Sequence, residues 1–385
     1  MPSDAPPGAP SEEFAPQRLG EVFRTIRGFI KAHPELAPRY DFARAVIRAF
    51  RRPAFYEVET RCNLRCEGCY YFEGGDTHSI KGEDDIAAWS GFFDAEGERG
   101  VSMAYFVGAE PALAQDRLRA AVGKFPRGNV GSNGTIRMDP DIPFRIGVSV
   151  WGADDPSDRS LRGASVFRKA LRNYAGDPRA IMLFTVSRWT IDQVPEVARM
   201  CADHDLKLTY NMYSPTETFL TRLARQSPND AEFFRVSSND DSPILRPDDL
   251  LRVRDTLEES LEAFPDTVVY SKAYNDYICQ PGPRYDICPD TGVARDCKSR
   301  IEEPMRYFTT DLQPKKVKCC TPDSDCSSCR MYSGGWSSRF VPRQHDVASV
   351  EAFRGWLDMM ETLDEIFLYP RIKRLENGGP APDAR

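Results

Sequence analysis

The sequence predicts an α/β protein whose parallel sheet of six strands is covered by helices. Two observations carry this expectation. From residue 53 onward, short apolar runs alternate with helical patterns, as strand–helix–strand units do. Six such runs are too few for a full eight-stranded barrel. Strands are expected at 54–60, 102–107, 127–132, 145–151, 179–186 and 206–212, and helices at 82–97, 112–124, 165–175 and 191–205. One crossover is abnormal. Between Asn133 and Arg145 only 11 residues remain, and Pro140 and Pro143 deny them a full helix.

The flanking segments read in order. Residues 1–17, rich in Pro and Ala, read as a disordered tail. Residues 18–52 read as helical, with Leu19, Val22, Phe23, Ile26, Phe29 and Ile30 spaced by three or four. Nine basic residues against three acids give this segment a charge of +6. A solvated helix packed on the main body explains that charge, and a dock for an acidic partner or anionic surface is the alternative. Residues 213–247 read as a turn-rich insertion, followed by a helix at about 247–264. Residues 273–343 hold many Cys, Gly, Pro and Asp. They are expected to build little core and to need metal to fold. A last helix at 347–368 carries a core-facing stripe of Phe353, Trp356, Leu357, Met360, Leu363 and Phe367. The expected division is 1–17 tail, 18–52 helical segment, 53–215 main barrel, 216–272 insertion and connecting helix, 273–343 cysteine-rich extension, 344–376 terminal helix and 377–385 tail.

The chain has 385 residues, which suggests two or three domains or one large barrel with additions. A net charge of −7 argues against a dedicated nucleic-acid binder, whose footprint is basic. No run approaches 18 apolar residues, so no membrane span is expected. The start, MPSDAPPGAP, has neither the basic nor the apolar region of a secretory signal, and a cytoplasmic location is expected. Eleven cysteines in a reducing compartment point to metal ligands or catalytic thiols rather than bridges. Cys201 stands alone in a helical pattern and reads as core.

Cys62, Cys66 and Cys69 form a C-x3-C-x2-C pattern directly after the first strand. Three soft thiolates on one loop suit a cubane iron–sulfur cluster with one iron left open. Zinc usually takes four ligands; His78 is the candidate fourth, at unusual spacing. The motif, with Asn63-Leu64-Arg65 and Tyr70, resembles the signature of the radical S-adenosylmethionine superfamily. That resemblance implies a partial (β/α)6 TIM-like barrel and a [4Fe–4S] cluster whose open iron binds S-adenosyl-L-methionine. It implies reductive cleavage to a 5′-deoxyadenosyl radical that removes hydrogen from substrate. Gly108-Ala109-Glu110-Pro111 resembles the family's Gly-Gly-Glu-Pro segment, which holds the methionine amino group; Ala109 replaces its second glycine. Ser132 and Asn133, Ser149, and Ser187 with Arg188 end later strands, and by the same resemblance lie near the cofactor. In parallel α/β folds, ligands bind outside the carboxyl ends of strands.

Downstream, Cys279-x12-Gly292-x4-Cys297 and Cys326-x2-Cys329 resemble the SPASM or twitch extensions of that superfamily. By this resemblance the four cysteines ligate one auxiliary [4Fe–4S] cluster, closed by protein and suited to electron transfer. Cys288, Cys319 and Cys320 are left over, with a ligand swap involving Cys288 or Cys320 open. A structural zinc ribbon makes similar demands. The segment before the first strand, the short third crossover and DCSSCRMYSGGWSSRF resemble, more loosely, the group containing adenosylhopene transferase. Members with that layout add the deoxyadenosyl radical to an alkene.

These resemblances imply a flavodoxin- or ferredoxin-type electron donor. The expected substrate is a small molecule such as a sugar, nucleoside or other metabolite. About 52 residues precede the first strand, short for the leader-binding domain of peptide-modifying members. Candidate polar residues at the mouth are Glu73, Asp76, His78, Trp151, Asp154, Tyr210, Asn211 and Tyr213. No general acid or base is assigned. The competing class is a metal-stabilised binding protein without turnover.

Overall fold

The computed structural model describes residues 16–74, 80–225, 234–237, 241–321 and 324–372. Of the expected 1–17 tail, residues 1–15 lie outside the described residues, as does 377–385, while Pro16 and Gln17 already belong to α1. Helix α1 (Pro16–Ala32) ends at His33-Pro34, and α2 (Leu36–Ala49) follows. The residue before proline avoids the helical region, so the expected helical segment is two helices. Val22 and Ile26 are buried as expected, whereas Phe23 faces solvent.

The six expected strands are present: β1 (Pro53–Glu59), β2 (Met103–Gly108), β3 (Gly128–Ser132), β4 (Arg145–Val150), β5 (Ala180–Val186) and β6 (Lys207–Met212). Each pairs in parallel with the next. Between them run α3 (Ile86–Glu98), α4 (Gln115–Ala120), α5 (Asp155–Arg162), α6 (Phe167–Tyr174) and α7 (Val194–Ala202). Every residue of β1 is buried, because covering helices leave neither face of a parallel sheet to water. Beyond β6 lie α8 (Glu217–Arg225), α9 (Pro247–Ala263) and α10 (Lys272–Ile278), then β7 (Arg306–Phe308), α11 (Tyr332–Ser337) and α12 (Val350–Phe367). The sheet order is β6-β5-β4-β3-β2-β1-β7, an open, partial TIM-like barrel. The strand count thus rises from six to seven. β7 comes from the cysteine-rich segment and pairs Tyr307 with Phe55 in parallel.

Four helices were not expected: α5, α8, α10 and α11. Asp154 caps α5 by accepting from the Ser157 N–H (2.8 Å), Pro156 sits in its first turn, and Gly163 closes it at φ 77°. In the turn-rich insertion, Thr216 accepts from the Phe219 N–H at the start of α8. The stripe of α12 is buried as expected, and Cys201 is a core residue.

The crossover from β3 to β4 has no helix. Met138, Ile142 and Phe144 fill the space instead. The Arg179 guanidinium donates to the carbonyls of Asp139 (2.7 Å), Ile142 (2.6 Å) and Met138 (3.2 Å), and pairs with Asp177 at 2.7 Å. Burial raises the Asp177 pKa, but hydrogen bonds from Arg179 outweigh that and leave it below the ordinary value. Its contribution to stability is therefore present above the unfolded carboxylate pKa and is lost as pH falls through the folded one. Arg179→Met should lower unfolding free energy by about 3–5 kcal/mol, because a buried charge loses its partner. Denaturant titration at pH 7 measures this. Adding Asp177→Asn should recover part of the loss, and the single-variant deficit should shrink near pH 3.

Candidate metal and cofactor site

The inner face of the sheet and the carboxyl ends of its strands enclose a cavity of about 310 Å³. Alternate residues line it, as the two-residue period of a strand requires: Tyr105 and Val107, Asn129 and Gly131, Gly147 and Ser149, Leu183 and Thr185. Cys62, Cys66 and Cys69 all line its mouth, together with Tyr70, Gly108, Ala109, Glu110, Ser132 and Asn133.

The cysteine loop has little regular structure, so side chains and neighbouring backbone hold it. Asn63 donates to Thr135 Oγ1 (2.8 Å), and Asn133 Nδ2 donates to Asn63 Oδ1 (2.8 Å). Asn133 Oδ1 accepts from the Thr135 hydroxyl (2.7 Å) and N–H (2.9 Å). On its other side the loop hangs from backbone: the Glu67 N–H donates to the Leu161 carbonyl (2.7 Å) and the Gly68 N–H to the Arg235 carbonyl (2.9 Å). Glu110 fastens the loop after β2 to β3. Its carboxylate accepts from the Ala112 N–H (3.0 Å), the Ser132 hydroxyl (2.8 Å) and the Asn133 N–H (2.7 Å). Burial still raises its pKa. Gly108 has φ 133°, and a Cβ there would lie 2.4 Å from the Glu59 carbonyl oxygen. The close approach lets the Ala109 N–H reach that oxygen at 3.0 Å.

Burial pushes the Cys62 thiol up to about 11 and raises Cys69 as well, and the Cys66 thiolate would raise both further. The three sulfurs are thus electrostatic neighbours on one cavity wall. This soft donor set fits an iron–sulfur cluster, and loading it would release protons. Among the described residues, no three His, Cys, Asp or Glu side chains are grouped so as to hold one metal ion. A cluster spans more, because each thiolate bonds a different iron.

Other expected residues divide. Ser149, Trp151, Asn211 and Tyr213 line the cavity. Ser187 and Arg188 do not: the Ser187 hydroxyl pairs with Thr190 (3.0 Å), and the Arg188 N–H meets the Pro243 carbonyl. Pro111 starts a short 3-10 turn behind the wall. Asp154 caps α5, and the Tyr210 hydroxyl meets Ser260 (2.6 Å) on the outer side. Glu73 is not in the wall; its carbonyl accepts from Arg222. Asp76 and His78 lie outside the described residues.

Sequence reading missed two contributors. Arg162, at the end of α5, is 2% exposed and lines the cavity. It donates to the Ser149 carbonyl (2.7 Å), while its Nε is buried without a partner. The D-D-P…G cap signals of α5 were the available clue. The second contributor is the far wall, formed by Cys320, Thr321, Met331, Tyr332 and Ser333. The Asn211 side chain accepts from the Tyr332 N–H (2.9 Å), and Ser214 accepts from the Arg330 N–H (2.9 Å).

No family model and no curated protein matches the sequence. Several solved structures are similar in fold. SuiB from Streptococcus suis bound to S-adenosylmethionine aligns with TM-score 0.48 and 10% identity, over 68% of this chain and 59% of that one. SuiB bound to its precursor peptide SuiA aligns with TM-score 0.44 and 11% identity, over 76% and 63%. Native anSMEcpe with bound AdoMet aligns with TM-score 0.44 and 14% identity, over 70% and 74%. This chain spans 59% of the length of the first of these. No helix among the described residues is long and apolar enough to cross a membrane.

The loop geometry makes a test of its own. Gly68 has φ 59°, and a Cβ there would lie 2.4 Å from Tyr213 Oη and 2.9 Å from Phe219. Gly68→Ala should cost about 2–4 kcal/mol, summing overpacking and left-handed strain. Tyr213→Phe in the same chain should return only the part of the overpacking owed to the Tyr213 hydroxyl, leaving the Phe219 contact and the left-handed strain. Unfolding midpoints of the two singles and the double variant measure the split.

Proposed function

We propose that the chain is a radical S-adenosylmethionine enzyme acting on a small molecule held in this cavity. The carrying observation is that the three thiols of C-x3-C-x2-C and the Gly108–Glu110 loop share one cavity mouth at the carboxyl ends of a parallel sheet. Cys62, Cys66 and Cys69 would hold a [4Fe–4S] cluster. When reduced, that group would supply the one electron that splits bound S-adenosylmethionine into methionine and a 5′-deoxyadenosyl radical.

The chain's own residues bind, orient and exclude water. The Gly108-Ala109 backbone and Tyr70 frame the methionine end of the cofactor, beside Asn133. Glu110 and Pro111 keep that loop in place. The buried Arg162 guanidinium offers a fixed positive charge to a carboxylate, and Ser132 and Ser149 stand beside it. Ser187 and Arg188 support the wall from behind. Tyr105, Trp151 and Tyr332 leave an aromatic, water-poor space, in which a carbon radical meets little besides its substrate. Hydrogen abstraction needs no general acid or base. A flavodoxin- or ferredoxin-type protein is the electron donor. A second, auxiliary cluster in the cysteine-rich extension takes part in electron transfer.

Anaerobic purification tests this reading. The protein should be brown, bind S-adenosylmethionine, and release 5′-deoxyadenosine when dithionite is added. Replacing Cys62, Cys66 and Cys69 together by Ala should abolish that release while leaving the far-UV circular dichroism unchanged. Free 5′-deoxyadenosine supports hydrogen abstraction; an adenosyl group bonded to product supports addition to an alkene. Colourless, zinc-loaded protein that releases neither from anaerobic preparations overturns the proposal.

A further inference from the structure

The seven cysteines between 279 and 329 do not form one group. Cys326 and Cys329 pack with Tyr285 and Ala294 in a small cluster of their own, and Cys297 packs against it. Gly334 draws the set together. A Cβ there would lie 3.2 Å from Cys297 Sγ and 2.9 Å from Tyr285 Oη, and that hydroxyl is 4.0 Å from Cys329 Sγ. Cys319 enters from a short antiparallel pairing with the strand after Cys297. Arg300 bridges Cys319, the Ile301 N–H donates to the Lys318 carbonyl (3.1 Å), and the Cys320 N–H to the Ser299 carbonyl (3.2 Å).

Cys279 lies elsewhere. It caps the end of α10, is fully buried in the main hydrophobic core, and its thiol donates to Asn275 Oδ1 (3.3 Å). After burial, the charges acting most strongly on it are Arg330, Arg254, Asp276 and Asp255. Cys319 and Cys326, by contrast, both neighbour Cys297 and Cys329 closely enough for their charges to be felt, and Cys320 does too. Cys288 sits in the turn of the Ile287–Ala294 bridge, where its N–H meets the Val293 carbonyl. Cys320 lines the main cavity.

We propose that Cys297, Cys319, Cys326 and Cys329 are the four ligands of the second iron–sulfur cluster, and that Cys279 is a core residue outside it. The ligand set thus departs from the one implied by motif spacing, with Cys319 in place of Cys279. The choice of iron and sulfide rather than zinc rests on the function proposed above; the choice of ligands rests on packing, with Cys279 set aside in the core and Cys320 in the main cavity wall.

The test uses the full chain with Cys62, Cys66 and Cys69 replaced by Ala, so the outcome is independent of the first cluster. After anaerobic reconstitution with iron and sulfide, this background should hold about four irons per chain. Adding Cys319→Ala should cut iron and acid-labile sulfide by at least half and remove the EPR signal of the dithionite-reduced protein. Adding Cys279→Ala should leave both unchanged. If either variant fails to fold by circular dichroism, Cys319→Ser or Cys279→Val replaces it; valine fills the core site but cannot ligate. Loss of iron in the Cys279 variant with retention in the Cys319 variant overturns the proposal. So does a background that takes up no iron, or only zinc.

Discussion

A loop that must hold three thiols in fixed relation, with almost no secondary structure of its own, depends on what fastens it. Here the fastening is the hydrogen-bond web of Asn63, Thr135, Asn133, Ser132 and Glu110. Each of these residues sits at or just past the carboxyl end of a strand, so the sheet dictates their spacing. Buried polar groups in such a web reinforce one another when all are satisfied, and each is costly when one is removed. The Glu110 carboxylate takes three donors at once and joins the ends of β2 and β3. Asn133 then carries that rigidity across to the cysteine loop.

The second half of the site comes from far away in sequence. Cys320, Thr321 and the segment 331–333 supply the opposite wall, which is pinned to β6 by Asn211 and to the following loop by Ser214. Arg330 holds this segment from behind, donating to the carbonyls of Ile278 (3.1 Å), Gln280 (2.9 Å) and Gly282 (2.9 Å). β7 does the same service at the other edge, where the Tyr307 hydroxyl meets Glu57 Oε1 at 2.6 Å. The cysteine-rich extension is thus part of the cavity rather than an appendage beside it.

How legible this was in the sequence follows from physics at each element. The six strands were readable to within a residue or two, because strands buried on both faces are continuous apolar runs. β7 was not, because three residues carry no period, and its partner β1 lies some 250 positions away. Helices α5 and α8 are short and mostly polar, so apolar spacing hid them although their caps were visible. In the site, the C-x3-C-x2-C loop and Gly108–Glu110 were legible because adjacent residues do adjacent work. Ser187 and Arg188 fall outside the cavity lining because a strand end fixes position along the axis but not which way a side chain turns. Arg162 was missed for a similar reason: its role depends on where α5 ends over the sheet.

The vicinal pair Cys319-Cys320 shows how one extended segment serves two sites. In a paired extended chain, successive side chains point to opposite sides. Cys319 lies at the bridge to Arg300, where its thiol meets the Thr321 carbonyl (2.8 Å), whereas Cys320 lines the main cavity, where its thiol meets the Ser333 hydroxyl at 3.3 Å. Burial in the cavity wall and the bond to Ser333 keep Cys320 in the first site, although its thiol neighbours that of Cys319. Motif spacing sees neither constraint. It counts residues between cysteines, whereas packing decides which sulfur points where. The Cys319 thiol thus sits a single residue along the chain from the wall of the main cavity.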